Sequence, residues 1–327
     1  ALAAGALAAA PSALWFAAAL VALGAACSVH HTAALTIMTR AGRSDPRLFG
    51  QWGMMGNLGL AVAPAFGGLL AAWANWRLPF ACGAALGLAC AAWLWLGTRH
   101  LDDRATVAEL TAHEPHRTHL PSFALVLVIS AALGFVFTGF AAFLPAMSGT
   151  RVGFLPAAAV VRGGLVASLV FAIGAGGSWW GGHAGRRAGL EHRYAAIIAL
   201  NAACLALAAV FQDWALVVVL VAFSFVHFST QPLENVLIAR YTSHEARGMS
   251  FAVSCVTAFG VGALGSYAGG LVADAAGGRL QYVYFMLAGV AALAAACAAG
   301  LAVLARRREV GAPGGGSPPG SAVRAAG

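Results

Sequence analysis

Charged side chains are scarce in this 327-residue chain, and lysine is absent altogether. Charged residues make up 9% of the sequence and hydrophobic residues 61%, whereas soluble domains carry about 25% charged residues. This composition excludes an ordinary soluble domain and indicates an integral membrane protein in contact with the lipid bilayer. The formal net charge of +8 therefore bears on membrane topology, and we expect no nucleic-acid partner.

Metal and catalytic patterns are also missing. The six cysteines lie singly in apolar runs without a C-x-x-C pair, so they indicate neither a disulfide framework nor a metal site. His113, His116 and His119 recur at a spacing that suits a metal on a helix, but no cysteine or fixed acidic partner completes the site. We expect a solvated linker there, with no metal and no cofactor. The chain has neither a Walker motif nor a nucleophile–base arrangement, which argues against an enzyme.

Long apolar runs are what the sequence has in abundance. A helix needs roughly 20 apolar residues to cross the hydrocarbon core of a bilayer, so each run is long enough to span. Residues 1–10 are apolar but too short to cross alone. The sequence therefore predicts an all-α integral membrane fold. The nine runs lie near residues 13–38, 49–74, 78–98, 122–146, 157–180, 194–212, 214–239, 251–273 and 280–305.

The arginines are distributed unevenly between the connections. Fifteen of the 19 lie in every second connection and in the tail. Because basic residues are enriched in cytoplasmic loops, we expect these segments to face the cytoplasm. The segments are 39–48, 99–121, 181–193, 240–250 and the residues from 306 onward.

The chain resembles itself at an offset of 202 residues. When the sequence is aligned with itself at this offset, Phe49 aligns with Phe251, and the pair Arg77-Leu78 aligns with Arg279-Leu280. Two similar bundles in one chain are typical of transporters, whose substrate site lies between them near the midplane. The runs 122–146 and 157–180 have no counterpart at this offset. We therefore expect two six-helix bundles in the full protein, with about nine and a half of the twelve helices present here.

These observations divide the chain into four parts. The segment 99–121 is the longest polar stretch and predicts a cytoplasmic linker. The tail is rich in glycine and proline, a composition typical of disorder. We assign 1–98 to the N-terminal bundle, beginning with part of its third helix, 99–121 to the linker, 122–305 to the C-terminal bundle and 306–327 to a disordered cytoplasmic tail.

A polar stripe runs along the apolar helix predicted at 214–239. Its members fall within a sector of about 100° on a helical wheel. A carboxylate within such a helix is costly, so we expect the stripe to face a water-filled cavity or a protein partner. The alternative is that Glu234 caps the cytoplasmic end near Arg240. The stripe consists of Ser224, His227, Gln231, Glu234 and Asn235.

A second polar cluster lies in the run 13–38. His30 and His31 are adjacent, so their side chains point about 100° apart on a helix. We expect one of them to face the cavity and the other to pack. Because histidine titrates near neutral pH, either one can relay protons.

The run 49–74 contains Gly50, Gly59, Pro64, Gly67 and Gly68. Their spacing resembles the fifth-helix motif g-x8-G-x3-G-P-x2-G-G of the drug:proton antiporter branch of the major facilitator superfamily, with Ala63 in place of one glycine. The loop at 181–193 is similar to the end of that family's G-x-x-x-D-R-x-G-R-R signature, through Gly185, Arg186 and Arg187. Gly182 and His183 stand where the signature has its aspartate and first arginine.

The resemblance implies the major-facilitator fold, with 13–38, 122–146 and 214–239 as the fourth, seventh and tenth helices. In the family these helices line the central cavity together with the first. The resemblance thus implies a substrate and proton pathway through both predicted clusters, and a gating or packing role for the glycine motif. The pathway residues are Glu234, His227, Gln231, Asn235, His30 and His31.

The function implied is secondary active transport of a small organic solute by alternating access. We expect proton-coupled efflux by a monomer in the plasma membrane of a bacterial cell. The alternative is a facilitator that imports a sugar, an organic acid or another metabolite. A membrane-embedded enzyme or receptor would need an active-site pattern or an extramembrane domain, and the sequence offers neither.

Overall fold

A computed structural model describes residues 1–40, 45–99, 118–185, 188–243 and 245–311. The regular secondary structure of these residues is helical throughout. The helices are α1 (Leu2–Ala8), α2 (Ala13–Arg40), α3 (Pro46–Trp73), α4 (Arg77–Thr98), α5 (Leu120–Arg151), α6 (Ala159–Ala184), α7 (Leu190–Val210), α8 (Asp213–Tyr241), α9 (Arg247–Val256), a π-helix (Thr257–Val261), α10 (Gly262–Ala275) and α11 (Gln281–Gly311).

The all-α membrane prediction is confirmed. Eight helical segments of the described chain are long and apolar enough to cross a membrane, with α9, the π-helix and α10 counted as one. The 28-residue α3 is a further long helix. The total matches the nine predicted runs, and the short α1 accounts for the apolar residues before Pro11.

Local sequence explains where two of the helices begin. Asp45 caps α3 by accepting a hydrogen bond from the backbone nitrogen of Arg47 at 3.0 Å, and Pro46 occupies the first helical position. Proline suits that position because its missing N–H would have no partner in the helix. Gly189 precedes α7 with φ +73°, a left-handed conformation that glycine adopts without steric cost.

The second half of the chain, α5 to α11, packs around an extensive apolar core. Aromatic side chains from three helices meet in it, with the rings of Phe140 and Phe223 4.3 Å apart and the Phe140 and Tyr284 rings 6.1 Å apart. All three side chains are buried. In the first half, α1 packs against α4, where Gly5 faces Ala84.

A π-helix interrupts the helix between Arg247 and Ala275 where it crosses α5. A Cβ added to Gly134 of α5 would collide with the backbone of Ala258, and Thr138 Oγ1 donates a hydrogen bond to the carbonyl of Gly262. The backbones of α5 and of this helix are therefore in direct contact. Single-turn π-helices of this kind often occur at functional sites.

The two halves of the chain meet mainly near one end of the bundle. This end, here called the arginine-rich end, is where α2, α6 and α8 finish and α3, α7 and α9 begin. Leu35 of α2 and Phe49 of α3 are buried there in one cluster with Leu133 of α5 and Phe251 of α9. Toward the opposite end of α3, large described side chains are exposed, with Phe66 at 50% and Trp73 at 80%.

Candidate transport pathway

Glu234 lies inside the second half, bonded to two neighbouring helices. Ser130 of α5 donates to Oε1 at 2.5 Å, and the Tyr194 hydroxyl of α7 donates to Oε2 at 2.8 Å. Ser130 also lies 3.4 Å from the hydroxyl of Ser254 in α9. The carboxylate thus joins α8 to α5 and α7 within a membrane-spanning bundle, where ionisable groups are rare and mark ion or proton pathways.

The alternative role of Glu234 as a helix-end cap does not match this geometry. Arg240 donates instead to Glu191 Oε1 at 2.7 Å, and the Tyr241 hydroxyl donates to the same oxygen at 2.7 Å. Glu191 therefore receives the bonds at the end of α8, while Glu234 faces the interior.

His227 lies two turns from Glu234 among aromatic rings. It stacks on Phe137 of α5 at a centroid distance of 5.4 Å and on Phe223 at 5.3 Å. The side chain is 4% exposed. Within the described residues, its Nδ1 and the Ser224 hydroxyl one turn away have no hydrogen-bond partner. His227 thus belongs to the interface of α5 and α8 in the second half.

Gln231 bridges the two halves of the chain. Asn57 of α3 donates to its Oε1 at 3.2 Å and to the Ser178 hydroxyl of α6 at 2.8 Å. Asn57 and Ser178 are buried. We call these three side chains the polar junction. Sequence reasoning selected Gln231 and missed both partners, although Asn57 and Ser178 are isolated polar residues in apolar helices. The remaining stripe residue, Asn235, is partly buried on α8.

Backbone contact between α3 and α6 surrounds the polar junction. A Cβ added to Gly50 would lie 2.6 Å from the carbonyl oxygen of Ser178 and 2.9 Å from the Cα of Gly182. One added to Gly182 would lie 2.6 Å from the carbonyl oxygen of Pro46. Small residues permit this approach of two membrane helices. We call this contact the glycine crossing.

The other motif residues are placed differently. A Cβ on Gly59 or Gly67 meets nothing within 4 Å among the described residues. Pro64 is exposed, and Gly68 follows it in α3. Gly185 lies against the Pro46 ring at the glycine crossing, while Arg186 and Arg187 lie outside the described residues. Among the motif residues whose surroundings the structure describes, Gly50 lies in the crossing between the halves.

His30 and His31 lie near a pair of aromatic side chains from different halves. The His31 ring is 5.3 Å from that of Trp52 in α3 and 5.5 Å from that of Phe259 in the π-helix. The His30 ring is 6.1 Å from that of Trp52. Trp52 and Phe259 were not selected from the sequence, because neither stands out among the many aromatic residues of an apolar chain.

Comparison with known proteins decides the family. The sequence model described as Major Facilitator Superfamily matches residues 1–260. The chain belongs to the Major Facilitator Superfamily. No curated protein sequence matches it.

Solved structures share the fold of this superfamily member at low sequence identity. The human organic anion transporter MFSD10 has a TM-score of 0.67 and 16% identity, over 91% of this chain and 74% of that one. The Escherichia coli fucose:proton symporter FucP has a TM-score of 0.65 and 14% identity, over 91% and 81%. FucP in its outward conformation has a TM-score of 0.66 and 15% identity, over 91% and 80%.

Proposed function

We propose that this protein is a secondary active transporter that exports a small organic solute in exchange for protons. Membership of the superfamily supports multi-pass membrane transport. We further propose that the protein is a monomer in the plasma membrane of a bacterial cell, and that it couples efflux of the solute to proton entry.

The observation that carries the proposal is the contact between halves near a single end. The polar junction and the glycine crossing both lie on the arginine-rich side of the bundle. Alternating access requires two halves that seal one end while the other opens. With the arginine-rich end in the cytoplasm, as the distribution of arginines predicts, the described arrangement corresponds to an outward-facing state.

Glu234 is the proposed proton site. Its carboxylate touches hydroxyls on α5 and α7, so a change in its charge alters bonds that hold three helices together. A protonation event can bias two conformations only by interacting differently with each. In the proposed cycle, proton release from Glu234 changes the packing of α8, the helix that also carries Gln231 of the polar junction.

Transport by the full-length protein in proteoliposomes tests this function. A pH gradient imposed across the membrane should drive labelled solute against its concentration gradient, and collapsing the gradient with a protonophore should stop it. A panel spanning sugars, organic acids and aromatic compounds identifies the solute. Solute movement that only equilibrates, whatever the pH gradient, would favour the facilitator and contradict proton coupling.

A further inference from the structure

Four rings from both halves of the protein converge beside α3. Trp52 of α3 lies next to His30 and His31 of α2, and His31 lies next to Phe259 of the π-helix. The two imidazole rings are 5.7 Å apart. Phe259 is the member from the second half, so the cluster lies between the two halves. We call these four side chains the ring cluster.

The ring cluster has open surface for a ligand. Phe259 is 57% exposed and His30 is exposed, whereas Trp52 and His31 are partly buried. Within the described residues, neither imidazole of α2 takes part in a hydrogen bond. The cluster thus offers aromatic faces together with imidazole nitrogens that are available to donate or accept.

The π-helix is part of this site. Its register places Phe259 toward α2, while the adjoining Ala258 and Gly262 contact α5. In a regular α-helix, residues one apart point about 100° from each other. One short segment thus contacts α5 through its backbone and presents a ring to the opposite half.

The charges around the cluster set the class of ligand. All described arginines lie within about five residues of a helix end. His31 lies nine residues before the end of α2, Trp52 six residues after the start of α3, and Phe259 twelve residues after Arg247 in the continuous helix from Arg247 to Ala275. Recognition of carboxylate or phosphate normally uses arginine or lysine, and the cluster has neither. Aromatic faces instead stack with flat conjugated rings, in offset or edge-to-face arrangements.

We propose that the ring cluster binds a flat aromatic compound that carries no anionic group. The compound stacks on Trp52 and Phe259, and a hydroxyl or amine on it bonds with an imidazole of α2. This site rests on the transport function proposed above and names the class of its substrate. Since the rings come from both halves, the bound compound contacts both of them.

Equilibrium dialysis of the full-length protein in nanodiscs tests the site, with protein-free nanodiscs to subtract partition into lipid. The probes are naphthalene-2-methanol, 2-naphthoate and L-fucose. The first two share a ring system and differ in the anionic group. We expect naphthalene-2-methanol to bind, 2-naphthoate to bind at least about ten-fold more weakly, and L-fucose not to bind, because the cluster contains no arginine or lysine and presents mainly aromatic faces.

Variants assign that binding to the rings. Trp52→Leu and Phe259→Leu should each weaken the binding of naphthalene-2-methanol about ten-fold or more, as removal of an aromatic anchor commonly does. Trp93→Leu is the matched control, because Trp93 is 75% exposed on α4 and outside the cluster. The conservative variants Trp52→Phe and Phe259→Tyr keep a ring and should retain binding, which covers the case in which a leucine variant does not fold.

Two results would overturn the ring site. One is naphthalene-2-methanol binding that Trp52→Leu and Phe259→Leu leave unchanged, and the other is tighter binding of 2-naphthoate or L-fucose. If the protein transports a sugar in a proton-driven manner, and neither Trp52→Leu nor Phe259→Leu changes the rate, the ring site is contradicted while the proposed function stands. If naphthalene-2-methanol binds in a ring-dependent manner but the protein transports no solute, the ring site stands and the proposed transport function is contradicted.

Discussion

At the scale of single residues, Glu234 differs from the other described acidic residues by its depth in the bundle. Glu191 lies at the start of α7, where it accepts bonds from Arg240 and Tyr241. Glu234 lies seven residues inside the end of α8 and accepts bonds only from the hydroxyls of Ser130 and Tyr194 in the described chain. A carboxylate bonded to neutral donors can change its charge without breaking an ion pair.

Glu234→Gln tests this residue, because glutamine keeps the shape and cannot carry the charge. We expect uphill, pH-gradient-driven transport to fall by about ten-fold or more while solute binding and exchange persist, as when a residue acts only in the coupled step. Uptake into inverted vesicles measures the uphill transport, and a counterflow assay measures solute binding and exchange. Glu245→Gln, at an exposed position between α8 and α9, is the control. Coupled transport at the wild-type rate would remove Glu234 from the mechanism and direct attention to His31 and His227.

At the scale of helices, the glycine crossing determines how closely α3 and α6 approach. The first glycine of the fifth-helix motif is in contact with the other half, whereas Gly59 and Gly67 have open space among the described residues. The glycines of this one motif therefore differ in their packing. The packing role of Gly59, Pro64, Gly67 and Gly68 stays a prediction.

Gly50→Ala should loosen the crossing, since the added methyl would lie 2.6 Å from the carbonyl of Ser178. Overpacking of this kind costs about 1–3 kcal/mol, and we expect the cost to fall on the closed arrangement, in which α3 and α6 are in contact. In a variant without the native cysteines, a cysteine at position 178 should react faster with a thiol reagent applied from the arginine-rich side.

Gly59→Ala is the matched control for the crossing, because its methyl would meet no described atom within 4 Å. In the Gly59→Ala variant, the cysteine at position 178 should be labelled at the same rate as in the parent protein. Equal rates for Gly50→Ala and Gly59→Ala would show that the crossing does not hold this end closed.

At the scale of the whole molecule, orientation in the membrane determines whether the closed end corresponds to an outward-facing or an inward-facing state. The arginine-rich end carries the helix ends at Arg40, Arg240 and Arg247. Basic residues favour the cytoplasmic side. On this basis we expect the sealed end to face the cytoplasm and the exposed end of α3 to face outward.

Cysteine labelling in intact cells tests the orientation. A cysteine introduced at Ala105, in the predicted linker, should resist a membrane-impermeant thiol reagent. A cysteine at Asn75, between α3 and α4 at the opposite end, should react readily. The native cysteines are replaced in both variants. The reverse pattern would invert the topology and turn the outward-facing assignment into an inward-facing one.

The sequence alone determined the class of protein, the number of long helices and their approximate bounds. Hydropathy and run length are local properties, and they suffice because a bilayer requires each spanning segment to satisfy its own backbone hydrogen bonds. The predicted run 214–239 became α8, Asp213–Tyr241, and the run 78–98 became α4, Arg77–Thr98. The family resemblance was likewise carried by the order of spans and by short motifs.

Only the tertiary structure decided what each polar side chain contacts. The helical wheel places Gln231 and Glu234 on one face of α8, yet Gln231 bonds with Asn57 and Glu234 with Ser130 and Tyr194. Periodicity fixes the direction of a side chain about its own helix axis. It does not reveal which neighbouring helix lies in that direction, because that helix comes from residues distant in the chain and is selected by the packing of the whole bundle.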